Sequence, residues 1–173
     1  MVGLAICAII IVPASLLNVA ILFRESTRGA APCVDSAGNF FETDFVRGNL
    51  PVITESPHIF LPRAAYARHR TAYRFALDWD VVLNYPRRAR GNAVDFHIMQ
   101  NLQTWAPMPS VMSTEDIVGN FPQFLAIEQS GRAWFHNLRA TREVVAEKLT
   151  EVSSNDGNPS CTLWKVTSTK PRP

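Results

Sequence analysis

Hydrophobic and polar positions divide the chain at residue 23. Residues 2–23 carry no charged side chain, and every Asp, Glu, Lys and Arg falls within residues 24–173. At a rise of about 1.5 Å per residue, such a run spans about 33 Å as a helix, enough for a hydrocarbon core about 30 Å thick. Pro13, Ser15 and Asn18 are tolerable there, because a helix in lipid satisfies them locally or against neighbouring helices. A cleaved signal peptide needs a basic segment before a shorter apolar core; nothing basic precedes this run. The pattern predicts a transmembrane helix over residues 1–23.

Behind it the periodicity changes several times. Residues 24–48 read as a linker broken by Gly29, Pro32, Gly38 and Gly48, with Phe40, Phe41 and Phe45 as apolar anchors onto the following domain. Leu50-Pro51-Val52-Ile53-Thr54 has the character of a buried strand. Ser56-Pro57 is an N-cap and first-turn pair for a helix running to Arg68 despite Pro62. Tyr73 to Leu77 alternate as a second strand, Val81 to Tyr85 form a short helix, and Asn92 caps a helix over residues 93–104. Its apolar face is predicted to be Val94, Phe96, Ile98, Met99 and Leu102. Val111-Met112 is a short strand, Ser113 with Asp116 resembles a capping box for a helix through Asn120, and residues 123–127 form the next strand. A helix over 131–139 follows. The turn signal at residues 153–159 then joins two strands, 142–152 and 161–167, as the preferred reading of an otherwise helix-prone stretch.

Strand alternating with helix implies an α/β fold. The expected architecture is one N-terminal transmembrane helix, a linker over 24–48, and a small three-layer domain over 49–167. A mainly parallel sheet and a C-terminal hairpin build that domain, and residues 168–173 form a tail.

Charge narrows the function. The net charge is +2 and the basic residues are interspersed with acidic ones, so no footprint for nucleic acid stands out. Arg87-Arg88-Ala89-Arg90 reads as a solvated loop. Of the three cysteines, Cys7 lies in the apolar run, while Cys33 and Cys161 sit near the two ends of the soluble part and can pair if the domain faces an oxidising compartment. His58, His69, His97 and His136 fall on four separate elements without metal-ligand spacing, so no metal or other cofactor is expected. The usual nucleophile, phosphate-loop and dinucleotide motifs are absent.

One constellation carries a physical argument. Ligands of open parallel sheets bind beyond the carboxyl ends of the strands. Glu55 follows the first strand, Asp78 follows the second, and Asp80 is close by. They form a candidate polar cleft for a hydroxyl-rich or cationic ligand. The competing reading is structural: Asp78 caps the short helix after it, and Glu55 offsets a helix dipole.

The chain also resembles a known family. The apolar run, Leu50-Pro51-Val52-Ile53-Thr54-Glu55-Ser56-Pro57, Tyr66 and Tyr73-Arg74-Phe75-Ala76-Leu77-Asp78 look like the terminal region of polyprenyl-phosphate-sugar-dependent glycosyltransferases of the dolichyl-phosphate-mannose protein mannosyltransferase type. Asp95, Trp105-Ala106-Pro107, Gln123 to Ile127, Trp134 and Leu163-Trp164-Lys165-Val166 follow in the family's order, so the resemblance covers about residues 5–167. It implies a final membrane span leading into a small extracytoplasmic α/β domain. The family's catalytic acidic residue belongs to an upstream multi-span region that has no counterpart in this sequence, so no catalytic residue carries over. What the resemblance implies is a membrane-anchored domain, structural or acceptor-recognising, beside a multi-span glycosyltransferase subunit and inactive alone. A free-standing single-span protein that binds a ligand or partner is the alternative. Arg24 and Arg28 lean toward a cytoplasmic domain by the positive-inside rule; the resemblance points outward, to the periplasm or cell exterior, and is preferred because Glu25 interrupts the arginines.

Overall fold

A computed structural model of the chain describes residues 33–34, 39–46, 50–84, 86–105, 108, 110–141, 143–153 and 160–169. The predicted span over 1–23, most of the linker, the tip of the hairpin turn and the end of the tail lie outside these residues. No helix among the described residues is long and apolar enough to cross a membrane.

Six strands form one sheet in the order β3-β2-β1-β4-β6-β5. They are β1 (Val52–Thr54), β2 (Tyr73–Ala76), β3 (Val111–Met112), β4 (Gln123–Gln129), β5 (Val144–Val152) and β6 (Cys161–Ser168). The first four are mutually parallel, with Thr54 beside Phe75 on one side and Ile127 on the other. β6 runs antiparallel to β4 and pairs with β5 as the C-terminal hairpin. The fold is therefore mixed α/β, a mostly parallel sheet closed by an antiparallel hairpin.

Alternation along the strands sets two cores. Val52, Tyr73, Phe75, Leu125, Ile127 and Leu163 bury on one face; Ile53, Ala76, Phe124, Ala126 and Val166 bury on the other. Helices cover both faces, as strands apolar on both sides require. On the first lie α1 (Pro57–Tyr66), through Ile59 and Phe60, and α3 (Pro86–Trp105), through Phe96 and Met99. On the second lie α4 (Thr114–Asn120), through Ile117 and Val118, and α5 (Trp134–Ala140), through Trp134, Phe135 and Leu138. The short α2 (Trp79–Asn84) contributes Val82 to the first core and Val81 to the second.

Four sequence expectations need correction. The long helix begins at Pro86 rather than near residue 93, because the first turn of a helix needs no intrahelical N–H partner and proline fits there. It therefore takes in the Arg87–Arg90 segment, which was expected to be a loop. Its buried face is Phe96 and Met99, with Phe96 packed edge-on against Phe75 and Trp79, while Val94, Ile98 and Leu102 face outward. Of the expected aromatic anchors, Phe41 packs on the core and Phe40 lies under the Arg63 guanidinium, but Phe45 is exposed.

The segment before β1 is held by charge and by a covalent bond. Glu42 and Arg63 are fully buried and joined by two hydrogen bonds, one of them at 3.0 Å from Nη2. Arg63 also donates to the Cys33 carbonyl at 2.8 Å, and the Tyr73 hydroxyl donates to Glu42 at 2.9 Å. Burial, then the neighbouring Glu42 carboxylate, pushes the Tyr73 phenol above its ordinary value. Cys33 and Cys161 form a disulfide, with Cα atoms 5.5 Å apart and 128 residues of separation. It ties this segment to the start of β6.

Candidate functional site

The strand order reverses direction at β1: β2 and β3 lie on one side and β4 on the other. Such a switch point opens a crevice beyond the carboxyl ends of the strands. Glu55 leaves β1 there and is 2 % exposed. Its carboxylate accepts from the Trp134 backbone N–H at 3.0 Å. Trp134 opens α5, whose N-cap residue Ala133 makes no side-chain capping bond. Glu55 thus caps, across the sheet, a helix that cannot cap itself. Burial raises the Glu55 carboxyl from 4.5 to about 7, against the lowering effects of the Trp134 N–H, the Arg132 guanidinium and the N–H groups of Ala133 and Phe135.

Arg132 lies across the crevice itself. It is paired with Asp95 of α3 at 2.5 Å and donates to the Ser56 hydroxyl at 3.5 Å. Ser56 is the N-cap of α1 and makes no capping bond of its own.

Asp78 stands at the end of β2 and is pinned on both oxygens. Oδ1 accepts the N–H groups of Asp80 at 3.1 Å and Val81 at 3.3 Å, which caps α2. Oδ2 accepts from the Thr114 hydroxyl, and that hydroxyl accepts from the Trp134 indole N–H at 2.8 Å. A single path of hydrogen bonds therefore runs from Glu55 through Trp134 and Thr114 to Asp78, joining the carboxyl ends of all four parallel strands.

On the Asp78 side of that path the surface opens into a cleft of about 530 Å³. Asp78, Asp80, Val81, Asn84, Thr114, Trp134, Asn137, Leu138, Thr141 and Glu143 line it. Three carboxylates and four neutral amides and hydroxyls face it, and none of the described lining residues is cationic. The arrangement suits hydroxyl or ammonium donors and repels anions.

The structure brings Glu55 and Asp78 to one edge, as the strand pattern predicts, but on opposite sides of Trp134. Asp80 is exposed at the mouth of the Asp78 cleft. The structural roles weighed against function are also present: Asp78 caps α2, and Glu55 serves a helix dipole, that of α5 rather than of its neighbour α1. Sequence reasoning missed Thr114, Asn137, Thr141, Glu143 and Arg132. The signal for Arg132 lay in Ser130-Gly131, a turn closing β4 at the switch point, with Gly131 at φ 85°. Among the described residues no group of His, Cys, Asp and Glu side chains is arranged to hold a metal ion; His97 packs against Trp79 with ring centroids 4.7 Å apart and the rings tilted by 59°. The chain matches no family model, no curated protein and no solved structure.

Proposed function

We propose that this chain is a membrane-anchored accessory domain of a lipid-linked-sugar glycosyltransferase, inactive alone, that holds a hydroxyl-rich or cationic ligand in the Asp78 cleft. The observation that carries the reading is the cleft: three carboxylates and four neutral polar side chains at the carboxyl edge of a parallel sheet. Carboxylates accept paired hydroxyls and ammonium groups, while the amides and hydroxyls beside them both donate and accept. An outward-facing domain accords with the Cys33–Cys161 disulfide, because such bonds persist in oxidising compartments. The anchoring role rests on the charge-free run over residues 2–23.

The test uses the full chain in neutral detergent, titrated calorimetrically with methyl mannoside and, separately, glucosamine. Saturable binding of one of them is expected, weakened by about tenfold in Asp78→Asn as a charge-assisted hydrogen bond is lost. Asparagine caps a helix about as well as aspartate, so α2 survives the change. Equal binding by the variant would sink the cleft reading. Co-purification with a multi-span membrane protein separates the accessory role from that of a free-standing single-span protein.

A further inference from the structure

Charge is evenly mixed along most of the chain, yet residues 56–77 contain four arginines and no acidic residue. One of the four, Arg63, is buried against Glu42. The other three, Arg68, Arg70 and Arg74, have no carboxylate partner among the described residues, and Arg68 and Arg70 are exposed. Two of them converge. Arg70, from the single 3-10 turn Arg70–Ala72, and Arg74, from β2, line a cavity of about 350 Å³ at the amino edge of the sheet. Ala64, Thr71, Tyr73 and Ser110 complete its wall.

The cavity is organised before any ligand arrives. Arg74 Nη1 donates to the carbonyls of Thr71 at 2.5 Å and Tyr73 at 2.9 Å, which fixes the guanidinium while its other N–H groups make no protein hydrogen bond among the described residues. The hydroxyls of Thr71 and Ser110 are likewise unengaged among them. Glu42, which the Tyr73 hydroxyl reaches from the core side, is buried and already matched by Arg63. Positive charge at this edge is therefore not cancelled locally. Two guanidinium groups and two hydroxyls around a small open cavity match the oxygens of a phosphate, since arginine presents a planar fork of donors to that group.

We propose that the Arg70–Arg74 cavity is a binding site for a phosphate group. The site lies at the opposite edge of the sheet from the Asp78 cleft and does not depend on the ligand of that cleft. A phosphate can come from a lipid headgroup or from solution, and both offer the same oxygens to the two arginines.

The experiment is a calorimetric titration of the full chain in neutral detergent, at low ionic strength. One arm adds inorganic phosphate and the other adds short-chain phosphatidic acid. Saturable binding with one site per chain is expected in at least one arm. Binding to inorganic phosphate assigns a phosphate taken from solution; binding to phosphatidic acid alone assigns a headgroup. In both cases Arg70→Gln should weaken it by about tenfold, the usual loss for one hydrogen bond to a charged group, and Arg70→Lys should recover part of that. Arg68→Gln, an exposed arginine outside the cavity, should leave the affinity within about twofold, because its charge is screened by solvent. Arg70 is exposed, so its replacement leaves the fold intact even if that of Arg74 does not. No saturable binding in either arm, unchanged affinity in Arg70→Gln, or equal losses in Arg68→Gln and Arg70→Gln would overturn the proposal.

Discussion

At the scale of single residues, Glu55 ties stability to pH. A carboxyl buried at the head of α5 is asked to be a cap and a charge at once, and burial opposes the charge. In the unfolded chain it loses its proton near 4.5, whereas in the folded chain it does so near 7. Between those values the native state holds more protons than the unfolded one, so the Glu55 contribution is complete below about pH 4.5 and fades as pH rises through 7. At about 1.4 kcal/mol per pKa unit, the swing is about 3 kcal/mol. Glu55→Gln removes that slope: chemical denaturation from pH 5 to 8.5 should show the wild type losing stability relative to the variant as pH rises. A constant difference across the range would contradict the burial account. The sequence placed Glu55 at this edge through the strand-then-cap pattern of residues 50–57. It gave no hint of Trp134 as partner, because that contact joins residues 79 positions apart.

At the level of elements, local chemistry was legible at some helix ends and turns and not at others. Ser113 caps α4, accepting from the Asp116 N–H at 3.0 Å and donating to its carboxylate at 2.7 Å, a reciprocal pair written into four consecutive residues. Ser113→Ala should cost about 1 kcal/mol, measurable as a lower denaturation midpoint with an unchanged slope. The hairpin of β5 and β6 was likewise readable, since a dense turn signal separates its strands. The α3 helix was not. Its apolar residues occupy more of the circumference than the sheet can cover, and periodicity alone does not say which arc turns inward. Aromatic packing decides it: Phe96 meets Phe75 and Trp79 at centroid distances of 5.8 and 5.7 Å, and Val94, Ile98 and Leu102 are left outside. The outer hairpin strand β5 carries a register shift between Lys148 and Thr150 and exposes Glu147, Lys148 and Glu151. Both features discourage a second chain from adding to that edge.

At the scale of the described domain, charge is divided between the two edges of the sheet. Acceptors gather at the carboxyl edge around Asp78, and arginines without a carboxylate partner among the described residues gather at the amino edge around the cavity of Arg70 and Arg74. Neither grouping shows in the net charge, because folding brings residues 78, 114 and 143 together from well-separated stretches of chain. The same long reach distinguishes the disulfide. Cys33 and Cys161 stand 128 positions apart in the sequence and enclose β1 to β5. Tension applied along the chain from its two ends would enter at Cys33, cross directly to Cys161 at the start of β6, and leave the bracketed residues slack. In a single-molecule stretching experiment the oxidised chain should therefore extend only by the segments outside the bracket. Adding a reductant should release about 450 Å of further contour length, at roughly 3.5 Å per residue. If oxidised and reduced chains extended equally, the bond would not be carrying the load. Such a bond is mechanical insulation: the residues that line both cavities lie between the two cysteines and are spared a pull applied at the chain's ends.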